Sequence, residues 1–253
     1  MSPTLRSEPV ERRRRLAHAT PVLLLRAAHP RQAVLTAVGL ALAAALSGRP
    51  GREVLLVLVT VLVGQAILGW HNDLVDRRRD EAHRLPDQRP RKPIAVGLLE
   101  PGTAWFALSC GVLLVVPLAV SNGVTAGCAY LLSLAVGLVG NVVLRNGPLS
   151  WLPWALAYAL YPAFLSYGGW GGDVTGDPPE IAMVALSAAV GVGVHFLCAL
   201  PGLVADHEDG RRHLPLRIAM RIGATWLLVA SLAWTLLAVG GLLVVGSLVG
   251  LSQ

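Results

Sequence analysis

The sequence predicts an all-α fold, a polytopic membrane helical bundle of about seven transmembrane helices, and three observations predict it. Apolar residues make up 54% of the 253 and charged residues 14%, with a mean hydropathy of +0.60. A soluble domain carries roughly a quarter charged residues, so most of this chain must be solvated by lipid or by other apolar helices. The apolar residues also fall in blocks close to the roughly 20 needed to cross about 30 Å of hydrocarbon as a helix. These blocks lack strand-like alternation, which argues against a β-barrel. Finally, the net charge of +6 is concentrated on alternate connecting segments, a bias that orients membrane helices.

Taken in order, residues 1–25 carry the run ERRRR at 11–15 and are expected to form a basic, disordered cytoplasmic tail. The run reads as an orientation signal. A nucleic-acid patch would call for a second basic tract or interleaved aromatics, and neither is present. A single transmembrane domain is expected over 26–253, with spans near 31–47, 54–75, 102–120, 123–144, 150–168, 181–201 and 223–249. Arg26, His29, Pro30 and Arg31 crowd the start of the first span and give it the look of a signal peptide, but a multi-span chain needs no cleaved signal. Small residues such as Gly191, Gly193, Gly240 and Gly241 would let helices approach closely. Cys110, Cys128 and Cys198 sit mid-span without CxxC or Cys/His spacing, so neither a disulfide framework nor a zinc site is expected.

With the N-terminus in the cytoplasm, the cytoplasmic segments are 1–30, 76–101, the link at Arg145, and 202–222. They hold most of the arginines, including Arg77 to Arg79, Arg84, Arg89, Arg91, Arg211, Arg212, Arg217 and Arg221, together with Lys92. The opposite face keeps Arg49 and Arg52, and its longest loop, near 169–180, is purely acidic. This is the positive-inside pattern.

Asn72, Asp73, Asp76 and Asp80 come just after the apolar run VLVGQAILGW. On a helix they fall within an arc of about 100°, forming one stripe. Four oxygen-bearing side chains aligned in this way repel one another unless a cation sits among them. Mg²⁺ suits such a site, because it takes one or two carboxylates and completes its shell with water and phosphate oxygens. The following loop adds Arg89, Arg91 and Lys92 between prolines, and a basic loop beside carboxylates is what a diphosphate requires. A second cytoplasmic cluster follows the sixth span, where Asp206 and Asp209 are about 60° apart around a helix and could share a metal. Gly210 and Pro215 mark the stop of that helix.

Together NDLVDRRRD, RPRKPIAVG and DHEDGRRHLP resemble the UbiA superfamily of intramembrane prenyltransferases. The family's first motif has the form NDxxDxxxD, and Asn72, Asp73, Asp76 and Asp80 fill all four positions. A stretch similar to the family's RPxxxG follows at Arg89 to Gly97. In the second motif, anchored on Gly210, Arg211 and Arg212, Asp206 takes the later acidic position, while Gly202 stands where an Asp is usual. The family typically has nine helices, and the final two have no counterpart among the spans read here.

The resemblance implies a bundle around a central cavity open to the cytoplasmic side of a bacterial plasma membrane, with Mg²⁺ as cofactor. Its substrates would be a prenyl diphosphate and a small acceptor, commonly an aromatic ring. Asn72, Asp76, Asp80, Asp206 and Asp209 would hold metal; Arg89, Arg91, Lys92 and Arg145 would bind diphosphate; Asp73, Asp76 and Asp206 would be catalytic. Alternatives are a terpene cyclase on the same scaffold and a non-catalytic membrane protein that binds prenyl diphosphates or lipids. Trp70, Trp151, Trp154, Tyr158, Tyr161 and Tyr167 are candidates to line the cavity. His71, His195 and His207 are lesser candidates for proton transfer.

Overall fold

Apolar blocks this long, punctuated by Pro and Gly, fold as helices because lipid leaves a backbone amide no partner outside its own segment. The computed structural model of the chain describes residues 19–82, 92–169 and 176–249, and its described residues contain helices and turns but no strand. The helices are α1 (Thr20–Ala27), α2 (Pro30–Leu46), α3 (Gly51–Ala82), α4 (Pro101–Val120), α5 (Val124–Gly140), α6 (Leu152–Ala159), α7 (Tyr161–Ser166), α8 (Ile181–Ala199), α9 (Leu203–Glu208), α10 (Leu214–Ile222) and α11 (Ala224–Val249). A 3₁₀ turn, Leu200–Gly202, joins α8 to α9.

Packing follows chain order: α3 lies between α2 and α4, α5 carries the chain to α6, and α8 is sandwiched by α6 and α11. By length and apolarity α3, α4, the run Ile181–Glu208 and α11 can each cross a membrane, whereas α2 and α5 are shorter apolar helices. Outward positions are among the most apolar, with Leu113, Leu237 and Leu248 exposed by 76%, 77% and 80%. Inward positions include buried Thr60, Gln65, Asn122, Ser133 and Ser187. Apolar outside and polar inside inverts the distribution in soluble proteins and suits a lipid surround. The buried polar groups pair with one another: Asn122 Nδ2 donates to Thr60 Oγ1 at 3.1 Å and to the Leu118 carbonyl at 2.8 Å.

The predicted 150–168 span is not one helix. It breaks at Leu160 into α6 and α7. Pro162 has no N–H to return to the Tyr158 carbonyl four residues back, and Ser187 Oγ donates to that carbonyl instead, at 2.6 Å. The predicted 123–144 span also ends early, at Gly140, and Arg145 lies in the turns that follow. At the N-terminus, residues 1–18 lie outside the described residues, while residue 20 onward is already helical, with Leu23 buried. Of the small residues expected at helix contacts, Gly191 packs against the Trp154 carbonyl and Gly193 against Thr235 Oγ1, each too close to admit a Cβ. Gly240 faces open space.

Candidate functional site

Helix α3 continues past its apolar stretch to Ala82, carrying the whole NDLVDRRRD stripe. Asp73 and Asp76 are buried there, at 2% and 7% exposure, with Asn72 and Asp80 partly buried on the same face. On the other side, α8 passes through the 3₁₀ turn, where Pro201 fits because an early helical position needs no N–H. Helix α9 then presents buried Asp206. Two helix ends distant in sequence thus bring five carboxylates to one end of the bundle.

Each carboxylate meets a cation or an imidazole. Lys92 Nζ lies 3.1 Å from Asp73 and 2.9 Å from Asp80, and His29 Nε2 lies 2.9 Å from Asp73. Arg145 pairs with Asp76. Arg211 reaches both motifs, its guanidinium 3.5 Å from Asp76 and 3.5 Å from Asp206. Arg79 pairs with both Asp206 and Asp209. His213 Nε2 is 2.8 Å from Asp206, and its Nδ1 accepts from the Leu216 N–H at 3.3 Å. That bond assigns the ring proton to Nε2, which donates to Asp206.

Local backbone chemistry sets these side chains. Helix α9 ends with Gly210 at φ 66°; the Gly210 N–H bonds to the His207 carbonyl at 3.0 Å and the Arg211 N–H to the Asp206 carbonyl at 2.9 Å. This Schellman closure needs a left-handed residue, which Gly supplies without a Cβ penalty. It turns the chain so that Arg211 points back over the carboxylates. His29, the one non-glycine residue with positive φ among those described, at 51°, caps the start of α2. That left-handed backbone holds its ring beside the buried Asp73 carboxylate.

The charges interact strongly. Burial alone would lower the pKa of Lys92, but Asp73 and Asp80 outweigh it and hold the ammonium above its usual value. Burial pulls the Arg211 guanidinium below its usual value, and the neighbouring Arg145 and Arg79 add to the effect. The arginines thus crowd one another even as Asp76 and Asp206 hold Arg211 in place.

Lys92 and Arg145, expected at a diphosphate, therefore stand beside the carboxylates; Arg89 and Arg91 lie outside the described residues. Reasoning from sequence missed His29, Arg79, Arg211 and His213 as members of the cluster. Only the run of basic residues around each acidic motif signalled the arginines. The histidines follow from pairings between segments remote in sequence. The aromatic candidates mostly pack. Tyr158 and Tyr161 pack with tilted rings, centres 4.9 Å apart, Tyr167 packs against the core, and the Trp154 ring centre lies 5.7 Å from that of His195. Trp70 donates to the Leu24 carbonyl at 2.8 Å and borders an apolar groove of about 420 Å³ with Leu62, Ala66, Cys110 and Gly111. His71 sits 3.4 Å from Asn141, His195 is 3.1 Å from Ser150 Oγ, and His207 is exposed.

As for metal, no three His, Cys, Asp or Glu side chains among the described residues already form a coordinating group. The first motif still has the right chemistry, since an amide and three carboxylates provide hard oxygens for a divalent cation. The second motif differs, because Gly202 supplies no oxygen and Asp206 is engaged at both of its own.

A model of the UbiA prenyltransferase family matches residues 33–252. The fold is similar to that of a UbiA homolog from Archaeoglobus fulgidus solved bound to GPP and Mg²⁺, with a TM-score of 0.65 and 18% identity over 87% of this chain and 76% of that one. The same homolog bound to DMAPP and Mg²⁺ gives a TM-score of 0.64 and 19% identity, over 86% and 75%. Comparison with curated protein sequences finds no match.

Proposed function

The chain belongs to the UbiA prenyltransferase family, and from that premise we propose that it transfers a prenyl group from an isoprenoid diphosphate to a small aromatic acceptor within the membrane. The observation that carries this reading is the bridging of Asp76 and Asp206 by Arg211, with Lys92 and Arg145 at the same place. Carboxylates and cations mixed at a helix-bundle end suit a polyanion far better than they suit a neutral ligand. The homolog's GPP and DMAPP complexes point to the same class of donor.

In this reading Lys92, Arg145 and Arg211 exchange carboxylate partners for phosphate oxygens when the diphosphate binds, and Arg grips those oxygens bidentately. Asn72, Asp76 and Asp80, with Asp73 beside them, would hold Mg²⁺, which would supply further charge neutralisation to the leaving diphosphate. As the carbon–oxygen bond breaks, its electron pair leaves with the diphosphate, and these cations stabilise the charge that develops there. The allylic cation is attacked by the electron-rich ring, which then loses a proton. The apolar helices shield the cation from water. By the positive-inside pattern, the N-terminus and both motifs face the cytoplasm.

The test is incubation of the purified protein in lipid nanodiscs with labelled GPP and Mg²⁺, with and without 4-hydroxybenzoate as probe acceptor, and identification of products by mass. An acceptor-dependent prenylated product is expected, lost in excess chelator and reduced about 100-fold or more by Asp76→Asn. A cyclic product formed without acceptor would replace transfer by cyclisation.

A further inference from the structure

We propose that Arg79 is a standing cation at the second acidic motif, so that the diphosphate site takes one divalent metal, on the first motif, where two acidic motifs would suggest two. The inference rests on the prenyl-diphosphate reading above and refines how that site is charged.

Position 202 faces the motif. A Cβ added at Gly202 would lie 3.3 Å from Asp206 Oδ2 and 3.9 Å from its Cγ, so a carboxylate carried there would stand beside that of Asp206. The backbone at Gly202, with φ −98°, would accept an Asp, yet the residue present offers no ligand. The remaining carboxylates are occupied. Arg79 pairs with Asp206 and with Asp209; Arg211 lies 3.5 Å from the same Asp206 oxygen, Oδ1, that Arg79 engages; His213 holds Oδ2 at 2.8 Å. The first motif's carboxylates are paired too, with Lys92, Arg145 and Arg211. With Asn72, however, they present four oxygen-bearing side chains, whereas the second motif, without an oxygen at 202, offers a divalent cation only Asp206 and Asp209. Mg²⁺ needs near-octahedral oxygen coordination. The second motif therefore does not fit a metal.

Its charge is supplied another way. Relative to a site with Asp at 202 and a neutral residue at 79, one negative charge is removed and one positive charge added. That change of two units is the charge a Mg²⁺ would bring. Arg79 stands three residues after Asp76 on α3, so the helix that carries the first motif also carries this cation. A guanidinium keeps its proton at every physiological pH and offers five N–H donors to phosphate oxygens.

The test counts metal on the full-length protein in detergent, with Mn²⁺ as probe and geranyl S-thiolodiphosphate as an unreactive diphosphate. Equilibrium dialysis and electron paramagnetic resonance are expected to show about one Mn²⁺ per chain, without spin coupling. Arg79→Lys keeps that count, and the pair Arg79→Ile with Gly202→Asp raises it to about two, with the coupled signal of neighbouring ions. Two coupled Mn²⁺ in the unmutated chain, a count that needs no variant to fold, would overturn the inference and leave the prenyl-diphosphate reading standing. A folded double variant that still binds only one would overturn the assignment to Arg79. If the unmutated chain retains no Mn²⁺ at all with the analogue present, the prenyl-diphosphate reading itself fails.

Discussion

Arg211 is aimed by the backbone before any partner is considered. The left-handed Gly210 closes α9 and swings the next side chain toward Asp76 and Asp206. Open space surrounds Gly210, so Gly210→Ala meets no clash. It incurs only the cost of a Cβ at positive φ, about 1 kcal/mol. Thermal unfolding should report that small loss, while affinity for geranyl S-thiolodiphosphate falls by more than stability does, because Arg211 loses its aim. Equal, small changes in both would show that Arg211 contributes nothing to the anion. Lys92 gives a pH statement at the same scale. Its pKa is raised on folding, so its stabilisation is fully present below the ordinary lysine value of about 10.5 and is lost only as pH rises through the higher folded value. The gap in unfolding midpoint between the native protein and Lys92→Met should thus be flat from about pH 7 to pH 10 and close above that. A gap that closes below about pH 9 would contradict the Asp73–Lys92–Asp80 arrangement. Asp73, Asp76 and Asp80 were legible as acids carried past the end of a long apolar run, and Lys92 and Arg145 as cations in the connecting segments expected on the same side. His29 and His213 were not, because nothing local distinguishes a histidine that will meet Asp73 from one that meets solvent.

At the scale of the element, hydropathy located the helices, and prolines decided where they break. Pro117 sits inside α4 without ending it, whereas Pro162 coincides with a break that hydropathy alone did not reveal. At Pro162 the freed carbonyl has a partner on another helix. Ser187, on α8, takes that of Tyr158 at 2.6 Å, so the break is secured from a neighbouring helix. This makes a double-mutant cycle informative. Ser187→Ala should cost about 1 kcal/mol beside Pro162 by leaving a carbonyl unpaired in apolar surroundings. In the Pro162→Ala background the cost should shrink, since the alanine restores an N–H that can donate to that carbonyl along the helix. Additive effects on the unfolding midpoint in detergent would mean that Ser187 and Pro162 act independently. The interruption was illegible because its cause is a hydroxyl 25 residues away along the chain, at position 187 against 162.

For the molecule as a whole, the decisive quantity is the side of the membrane on which five carboxylates and their arginines gather. The run Ile181–Glu208 is long and apolar enough for one crossing. Exposed Asp177 precedes it and exposed Arg217 follows it. The segment after the crossing holds Arg211, Arg212, Arg217 and Arg221, against Asp177 and Glu180 just before it. Basic residues near span ends are retained in the cytoplasm, so the expected placement is Arg217 and the second motif inside and Asp177 outside. The native Cys110, Cys128 and Cys198 are exposed only on apolar helices. Carried on apolar, lipid-facing helix surfaces, they are out of reach of a charged, water-borne maleimide, which leaves a quiet background. In intact cells, an impermeant maleimide should label Asp177→Cys and should reach Arg217→Cys only after permeabilisation. The reverse pattern would put both acidic motifs on the outer face, where a diphosphate made in the cytoplasm could not reach them. Equal labelling of both positions in sealed cells would mean that Ile181–Glu208 does not cross, and the bundle itself would need redrawing.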